Sequence, residues 1–308
     1  MSDIVTAGIL VIGDEILSGR TKDKNIGFIA EYLTNIGIDL KEVRVVADEE
    51  AEIIAALDAL RHRYNYVFTT GGIGPTHDDI TADSVAKAFG VGIDHHPEVV
   101  VRFRERWGAA DLNEARLRMA RIPDGAELIQ SATILAPGFK IGNVIVMAGV
   151  PSIMQAMMDI VAPKLKSGVR MLSESVRANA REGDIGGPLR EIANAHPDTM
   201  IGSYPFQDED KKPNTNLVVR SRDPEKLNAA MNAVKEMLAG LNVARERADY
   251  SRQSESSIAT ATAVIRKMQG NDDGGASGIE RAGAGGQGLS SLMGPVSQGL
   301  PGADLAAE

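Results

Sequence analysis

The sequence predicts an α/β protein: a mostly parallel sheet covered by helices on both faces, followed by a small α+β second domain and a tail with no fold of its own. Three observations predict it. Apolar strand-like runs alternate with amphipathic helical runs through the first two thirds of the 308 residues, the pattern of βα units that build a parallel sheet. The third run, Tyr64 to Thr70, breaks into Gly71-Gly72-Ile73-Gly74-Pro75-Thr76 and then re-enters a helical pattern. Beyond residue 168 the order of elements changes, and from Gln269 to Glu308 the composition collapses into Gly, Ala and Ser, too poor in large apolar side chains to offset the entropy of ordering. The expected domains are 1–167, 168–250 and a low-complexity tail, 251–308.

In chain order, Ile4 to Ile12 reads as the first buried strand. Asn25 to Asn35 reads as a helix, with Ile26, Ile29, Ala30 and Leu33 on one face. Asp39 to Val46 is a second strand and Glu49 to Arg63 a helix whose Ile53, Ala56, Leu57 and Leu60 recur at helical spacing. After the third strand and its glycines come a helix from Thr81 to Phe89 and a polar helical region from Pro97 to Ala120. Val144 to Met147 is the last core strand. It leads to Pro151, which suits the first turn of a helix reaching about Lys164. The following stretch reads as strand (Met171 to Ala178), helix (Ile185 to Ala195), two strands (Met200 to Pro205, Asn216 to Arg222) and helix (Pro224 to Ala239), a split βαβ order. Ser256 to Met268 is expected as an isolated helix.

Chemistry concentrates at the glycines. Gly71, Gly72 and Gly74 carry no Cβ and permit positive φ, so backbone N–H groups there can approach an anion closely, while Pro75 and Thr76 carry the chain out of the loop. Asp79 is a candidate N-cap for the next helix, with Asp83 in its first turn. Asp78 and Asp79 would repel a phosphate unless a hard divalent cation lay between them, so the loop is expected to be a metal-plus-phosphate site. Asp14 and Glu15 follow the first strand and Asp48 the second. Ligands in open parallel sheets collect outside the strands' carboxyl ends, so these acids are expected to converge with Asp78 and Asp79. The competing readings are local: Asp14 caps its own turn, and Asp48 merely begins the helix at Glu49. The metal set is expected to be Asp14, Asp78 and Asp79, the same three being catalytic, with Mg²⁺ or a similar ion. Asn25, at the start of the first helix, is a candidate N-cap. Among the histidines only His77 lies in the loop, and no zinc-type His spacing occurs. Arg20, Lys22 and Lys24 could neutralise a diphosphate or be a solvated run. Phe139 either stacks on a flat ring or packs in the core.

The strings VIGDEILSGRTKDKN (11 to 25), TTGGIGPTHDDIT (69 to 81), APGF (136 to 139) and GVPSIM (149 to 154) resemble the amino-terminal domain of the competence/damage-inducible protein A family, part of the wider molybdopterin-binding fold of molybdenum-cofactor biosynthesis. The resemblance covers about residues 3 to 250. One departure is Ala148, where the family pattern has proline, which is expected to change a loop's stiffness. The resemblance implies metal-dependent cleavage of ADP-ribose or a similar nucleotide diphosphate. As an alternative it implies molybdopterin binding with adenylyl transfer or without catalysis; a third reading is a regulatory or assembly module whose site is vestigial, with the Gly-rich tail as the interacting part. It implies a role for Asn25 at the substrate and self-association into a homo-oligomer. The nicotinamide-mononucleotide amidase domain that some members carry needs far more chain than this tail, so that activity is expected to be absent.

Composition bounds the rest. With 43% hydrophobic and 24% charged residues the chain can bury a large core. Its net charge of −9 and lack of a basic stripe argue against nucleic acid as a partner. No run approaches the ~20 apolar residues of a membrane span, and no signal peptide is apparent, so the expected location is the cytoplasm. Zero cysteines exclude disulfides and thiolate chemistry.

Overall fold

The computed structural model describes residues 4–108, 110–131 and 133–269. A six-stranded sheet has the order β2-β1-β3-β8-β7-β6, with β1 (Val5–Ile12), β2 (Ile38–Val46), β3 (Tyr66–Thr70), β6 (Glu127–Ile129), β7 (Gly138–Ile141) and β8 (Val144–Met147). β2, β1, β3 and β8 are parallel, while β7 and β6 add an antiparallel edge. The alternation of β1 sets the two faces. Val5, Ala7, Ile9 and Val11 face α2 (Asn25–Asn35) and α7 (Pro151–Val161) through Ile29, Leu33, Met154, Met157 and Met158. Leu10 and Ile12 face α3 (Glu50–Arg61) and α4 (Thr81–Phe89) through Ile53, Leu57, Leu60 and Val85.

Because four strands are parallel, their carboxyl ends lie on one rim, and the loops after β1, β2, β3 and β8 all open there. The chain leaves β1 for β2 over the α2 face and leaves β2 for β3 over the α3 face. The order therefore reverses between β1 and β3, the switch point at which such sheets leave a crevice.

Between α4 and β6 the structure departs from the expected polar helical region. α5 (Pro97–Trp107) stops at Gly108, α6 (Glu114–Arg118) is a single turn, and β4 (Ile93–His95) pairs with β5 (Arg121–Pro123). Val99, Phe103 and Ala120 give this excursion its own small core. β3 begins at Tyr66 and not at Tyr64, because the Asn65 side chain is taken by Thr6, whose N–H donates to Asn65 Oδ1 at 2.9 Å. Strands β6 and β7 are short and were not expected.

The remaining elements are β9 (Leu172–Arg177), α8 (Glu182–Ala195), β10 (Met200–Gln207), β11 (Pro213–Ser221) and α9 (Pro224–Gln269). Their sheet has the order β10-β11-β9, antiparallel throughout, so β11 lies between the two strands that α8 connects. This is the split βαβ arrangement. Leu217 and Val219 of β11 pack on Ile185 of α8 and on Ala230, Met231 and Val234 of α9. The helix expected at Ser256 to Met268 is the end of α9. Between Gly240 and Ser256 no proline interrupts the chain, and one glycine costs a helix only about 1 kcal/mol. Contacts divide the chain into a unit ending at Asn242 and one beginning at Val243. The Gly-rich segment from 270 onward lies outside the described residues. No helix among the described residues is long and apolar enough to cross a membrane.

Candidate functional site

Beyond β3, close packing dictates the glycines. Gly71 has φ +104°, and a Cβ on it would lie 2.0 Å from the carbonyl oxygen of Ile12 at the end of β1. A Cβ on Gly72, φ +67°, would lie 2.1 Å from Thr81 Oγ1. Thr81 is fully buried. Its N–H donates to Gly72 O and its hydroxyl to Gly71 O, both at 3.0 Å. The first residue of α4 thus satisfies the carbonyls of the turn. The sequence carried a signal for Thr81, the threonine closing the GGIGPTHDDIT string, yet Thr81 was read only as a helix start.

Gly74 is needed for a carboxylate: a Cβ there would lie 2.6 Å from Asp79 Oδ2. That oxygen accepts from Thr76 N–H at 2.8 Å and from Thr76 Oγ1 at 2.5 Å, a local side-chain-to-backbone link that competes with any other use of the group. The Asp79 carbonyl accepts from Arg118 Nε at 3.1 Å. Asp79 is not the N-cap of α4, which is Ile80. Pro75 and Thr76 are exposed on the outside of this turn.

Acids do converge on the rim. Gly13 N–H donates to Val46 O at 3.2 Å, and Asp14 N–H donates to Asp48 Oδ2 at 2.9 Å, so the β2 loop fixes the β1 loop. Asp48 does not cap α3, whose N-cap is Glu49. The Asp48 carboxyl is raised above its ordinary value, first by burial and then by the charges of Asp14, Glu15 and Asp78, against the opposing Asp14 N–H. Those four carboxylates therefore share one electrostatic neighbourhood, contributed by three separate loops. Asp78 is held below its ordinary value, first by the Thr76 hydroxyl, then by its own backbone N–H, with His77 and Arg118 adding. His77 is almost wholly exposed and 3.9 Å from Asp78.

The expected metal set is not assembled. Among the described residues no three His, Cys, Asp or Glu side chains are placed to hold an ion, and Asp79 is engaged by Thr76. Asp14 and Asp78 remain on the rim with exposed carboxylates. That number suits Mg²⁺, which takes one or two carboxylates and completes its shell with waters and substrate phosphates.

Asn25 is 3% exposed and is the first residue of α2, not its N-cap, which is Lys24. Its Nδ2 donates to Gly149 O at 2.8 Å, while its buried Oδ1 has no hydrogen-bond partner among the described residues. A Cβ on Gly149 would lie 3.4 Å from Gly71 Cα, so Asn25 braces the β8 loop against the glycine turn. Ala148 N–H reaches Met157 Sδ at 3.4 Å, a contact proline would lack. Phe139 is 1% exposed and belongs to the α3/α4 core, the packing alternative. Arg20, Lys22 and Lys24 are exposed.

Against known proteins, residues 8–167 match the family model described as "Probable molybdopterin binding domain", and residues 170–247 match "FAD synthase, middle domain". A protein of Archaeoglobus fulgidus is 32% identical over 232 residues, covering 75% of this chain and 96% of its own length. The "Probable FAD synthase" of Caenorhabditis elegans is 31% identical over 261 residues, covering 76% of this chain, but the match spans only 50% of that relative. The crystal structure of "the protein CinA with unknown function from Thermoplasma acidophilum" superposes with a TM-score of 0.50 at 33% identity, over 52% of this chain and 98% of that one. The chain therefore belongs to the molybdopterin-binding domain family, in a CinA-like form followed by a segment like the middle domain of FAD synthases.

Proposed function

We propose that the chain binds a heterocycle joined to AMP through a phosphoanhydride, a flavin or a pterin, and that it transfers or releases the adenylyl group at the β1/β3 rim. The observation that carries this reading is the gathering of Asp14, Asp48 and Asp78 beside the glycine turn at the switch point of the sheet. Reactions at a phosphoanhydride depend chiefly on positioning and on neutralising charge, and both are available there. Asp48 holds the Asp14 backbone, and Asp14 and Asp78 present carboxylates. A divalent cation arriving with the diphosphate would be held by those two and would neutralise the phosphate oxygens. The nature of the heterocycle is suggested by the family description and by the FAD synthase relatives. Hydrolysis of ADP-ribose, the leading expectation from the sequence, has less behind it: Asp79 serves the turn, and nothing in those descriptions points to that substrate.

The test is a panel of FAD, adenylylated molybdopterin and ADP-ribose, with Mg²⁺ and with chelator, followed by binding and by AMP release. Saturable binding of FAD or of the adenylylated pterin is expected. In Asp14→Asn and Asp78→Asn, AMP release should fall at least about a hundred-fold, as when a group that stabilises the transition state is removed. Both side chains are exposed, so melting temperatures should hardly change. Faster turnover of ADP-ribose than of either heterocycle would restore the hydrolase reading, and failure to bind any of the three would end both.

A further inference from the structure

A cleft of ≈ 800 Å³ opens along the Pro75–His77 turn, and none of Asp14, Asp48 and Asp78 lines it. Ile80 contributes apolar surface, and most of the charges around it are already matched. Asp83 pairs with the Arg121 guanidinium and Glu50 with Lys87. Arg118 is not matched. It is half-buried, and among the described residues it makes no ion pair, although Glu114 stands four residues earlier on α6, a spacing at which helical ion pairs form. Its one hydrogen bond among those residues runs from Nε to the Asp79 carbonyl at 3.1 Å. That bond fixes the stem of the side chain and leaves the two terminal nitrogens of the guanidinium without an acceptor.

The terminal nitrogens of a half-buried guanidinium without a close ion pair are free to take an acceptor, and a planar fork whose orientation is already set is the side chain best matched to phosphate oxygens. The turn that anchors it is the one whose Gly74, Thr76 and Asp79 interlock, so the fork is held against a rigid loop. The influence of Arg118 on Asp78 places it within electrostatic reach of the acidic rim. We propose that this cleft is an anion subsite in which the terminal nitrogens of Arg118 grip a phosphoryl or pyrophosphoryl group. The subsite rests on the function proposed above for what the phosphate is attached to, but not for the phosphate itself.

Inorganic pyrophosphate, AMP and adenosine are titrated calorimetrically into the full chain, into Arg118→Lys and Arg118→Ala, and into Lys226→Ala, a surface cation at the start of α9, as a control. Pyrophosphate should bind the wild type, and adenosine should bind at least ten-fold more weakly than AMP. Arg118→Ala should weaken pyrophosphate at least ten-fold. Arg118→Lys, which keeps the charge and loses the fork, should weaken it about three-fold and carries the test if the alanine variant does not fold. Lys226→Ala should change nothing. Equal pyrophosphate affinity in wild type and Arg118→Ala, or an equal loss in Lys226→Ala, overturns the subsite. Arg118-dependent pyrophosphate binding without turnover of any nucleotide in the panel would remove the proposed reaction and keep the subsite, and the reverse pattern would do the opposite.

Discussion

Asp48 sits where three other carboxylates raise the cost of its charge. Its carboxyl is raised in the folded chain, so the folded state keeps a proton that the unfolded state has already released. Stability must then fall as pH climbs from the ordinary aspartate value through the raised one, with the loss complete above it. Asp48→Asn keeps an acceptor for Asp14 N–H and removes the charge. Urea unfolding at a series of pH values should show the variant at least as stable as wild type at pH 7, with a shallower decline across that window. An unchanged slope would mean that the crowding of acids has no energetic weight. Asp78 runs the other way: a lowered carboxyl gives a contribution present above the ordinary aspartate value and lost as pH falls through the lowered one, but solvent screening of this exposed group keeps it too small to move the melting temperature. The rim acids were legible in the sequence because each follows an apolar run, and parallel strands bring such loops to one edge. Adjacent acids look like a metal pair, but Thr76, three residues back, hydrogen-bonds one carboxylate oxygen of the second, a local link that the sequence did not reveal. Arg118 carried no local signal at all, since its partner lies 39 residues earlier in the chain.

At the level of elements, the turn after β3 and the helix α7 bear opposite kinds of constraint. In the turn, Gly71 is fixed by the Ile12 carbonyl, and neither φ nor space tolerates a side chain. Gly71→Ala should cost more than about 2 kcal/mol, through backbone strain and overpacking together. It should also abolish nucleotide binding even where some folded protein survives, as read by denaturant titration beside the binding assay. α7 instead presses Met154, Met157 and Met158, all fully buried, onto the sheet. Met158→Ala should cost about 2–5 kcal/mol by opening a cavity, with AMP release by the remaining folded fraction unchanged, because the side chain belongs to the core between α7 and the sheet. Loss of turnover at unchanged stability would place Met158 in the site and refute this assignment. Helices α2 and α3 were readable from the spacing of their apolar residues, and α7 from Pro151 at its first turn. The short strands β4 to β7 were not, because three- and four-residue segments carry no usable period and are held by partners distant in sequence.

The whole molecule separates what the site requires from what accompanies it. The acidic rim, the glycine turn, the Arg118 cleft and the three larger packed cores all lie in the unit that ends at Asn242. The order of strands and helices after residue 168 made the split βαβ arrangement legible, but no cluster of reactive side chains there pointed to chemistry, and the helices expected at Pro224 to Ala239 and Ser256 to Met268 are one helix, α9. If the site is self-sufficient, removing 243–308 deletes none of its residues and none of the buried side chains named above. The truncated chain should bind FAD or adenylylated pterin with unchanged affinity. Its melting temperature should shift by no more than about 2–4 °C, the size expected for a loss below 1 kcal/mol in a unit of this length. A drop well beyond that, together with lost nucleotide binding, would show that the segment from Val243 completes the unit. Unchanged nucleotide binding with loss of a protein partner would instead move the weight of function from the rim to that segment, as the interaction-module reading requires.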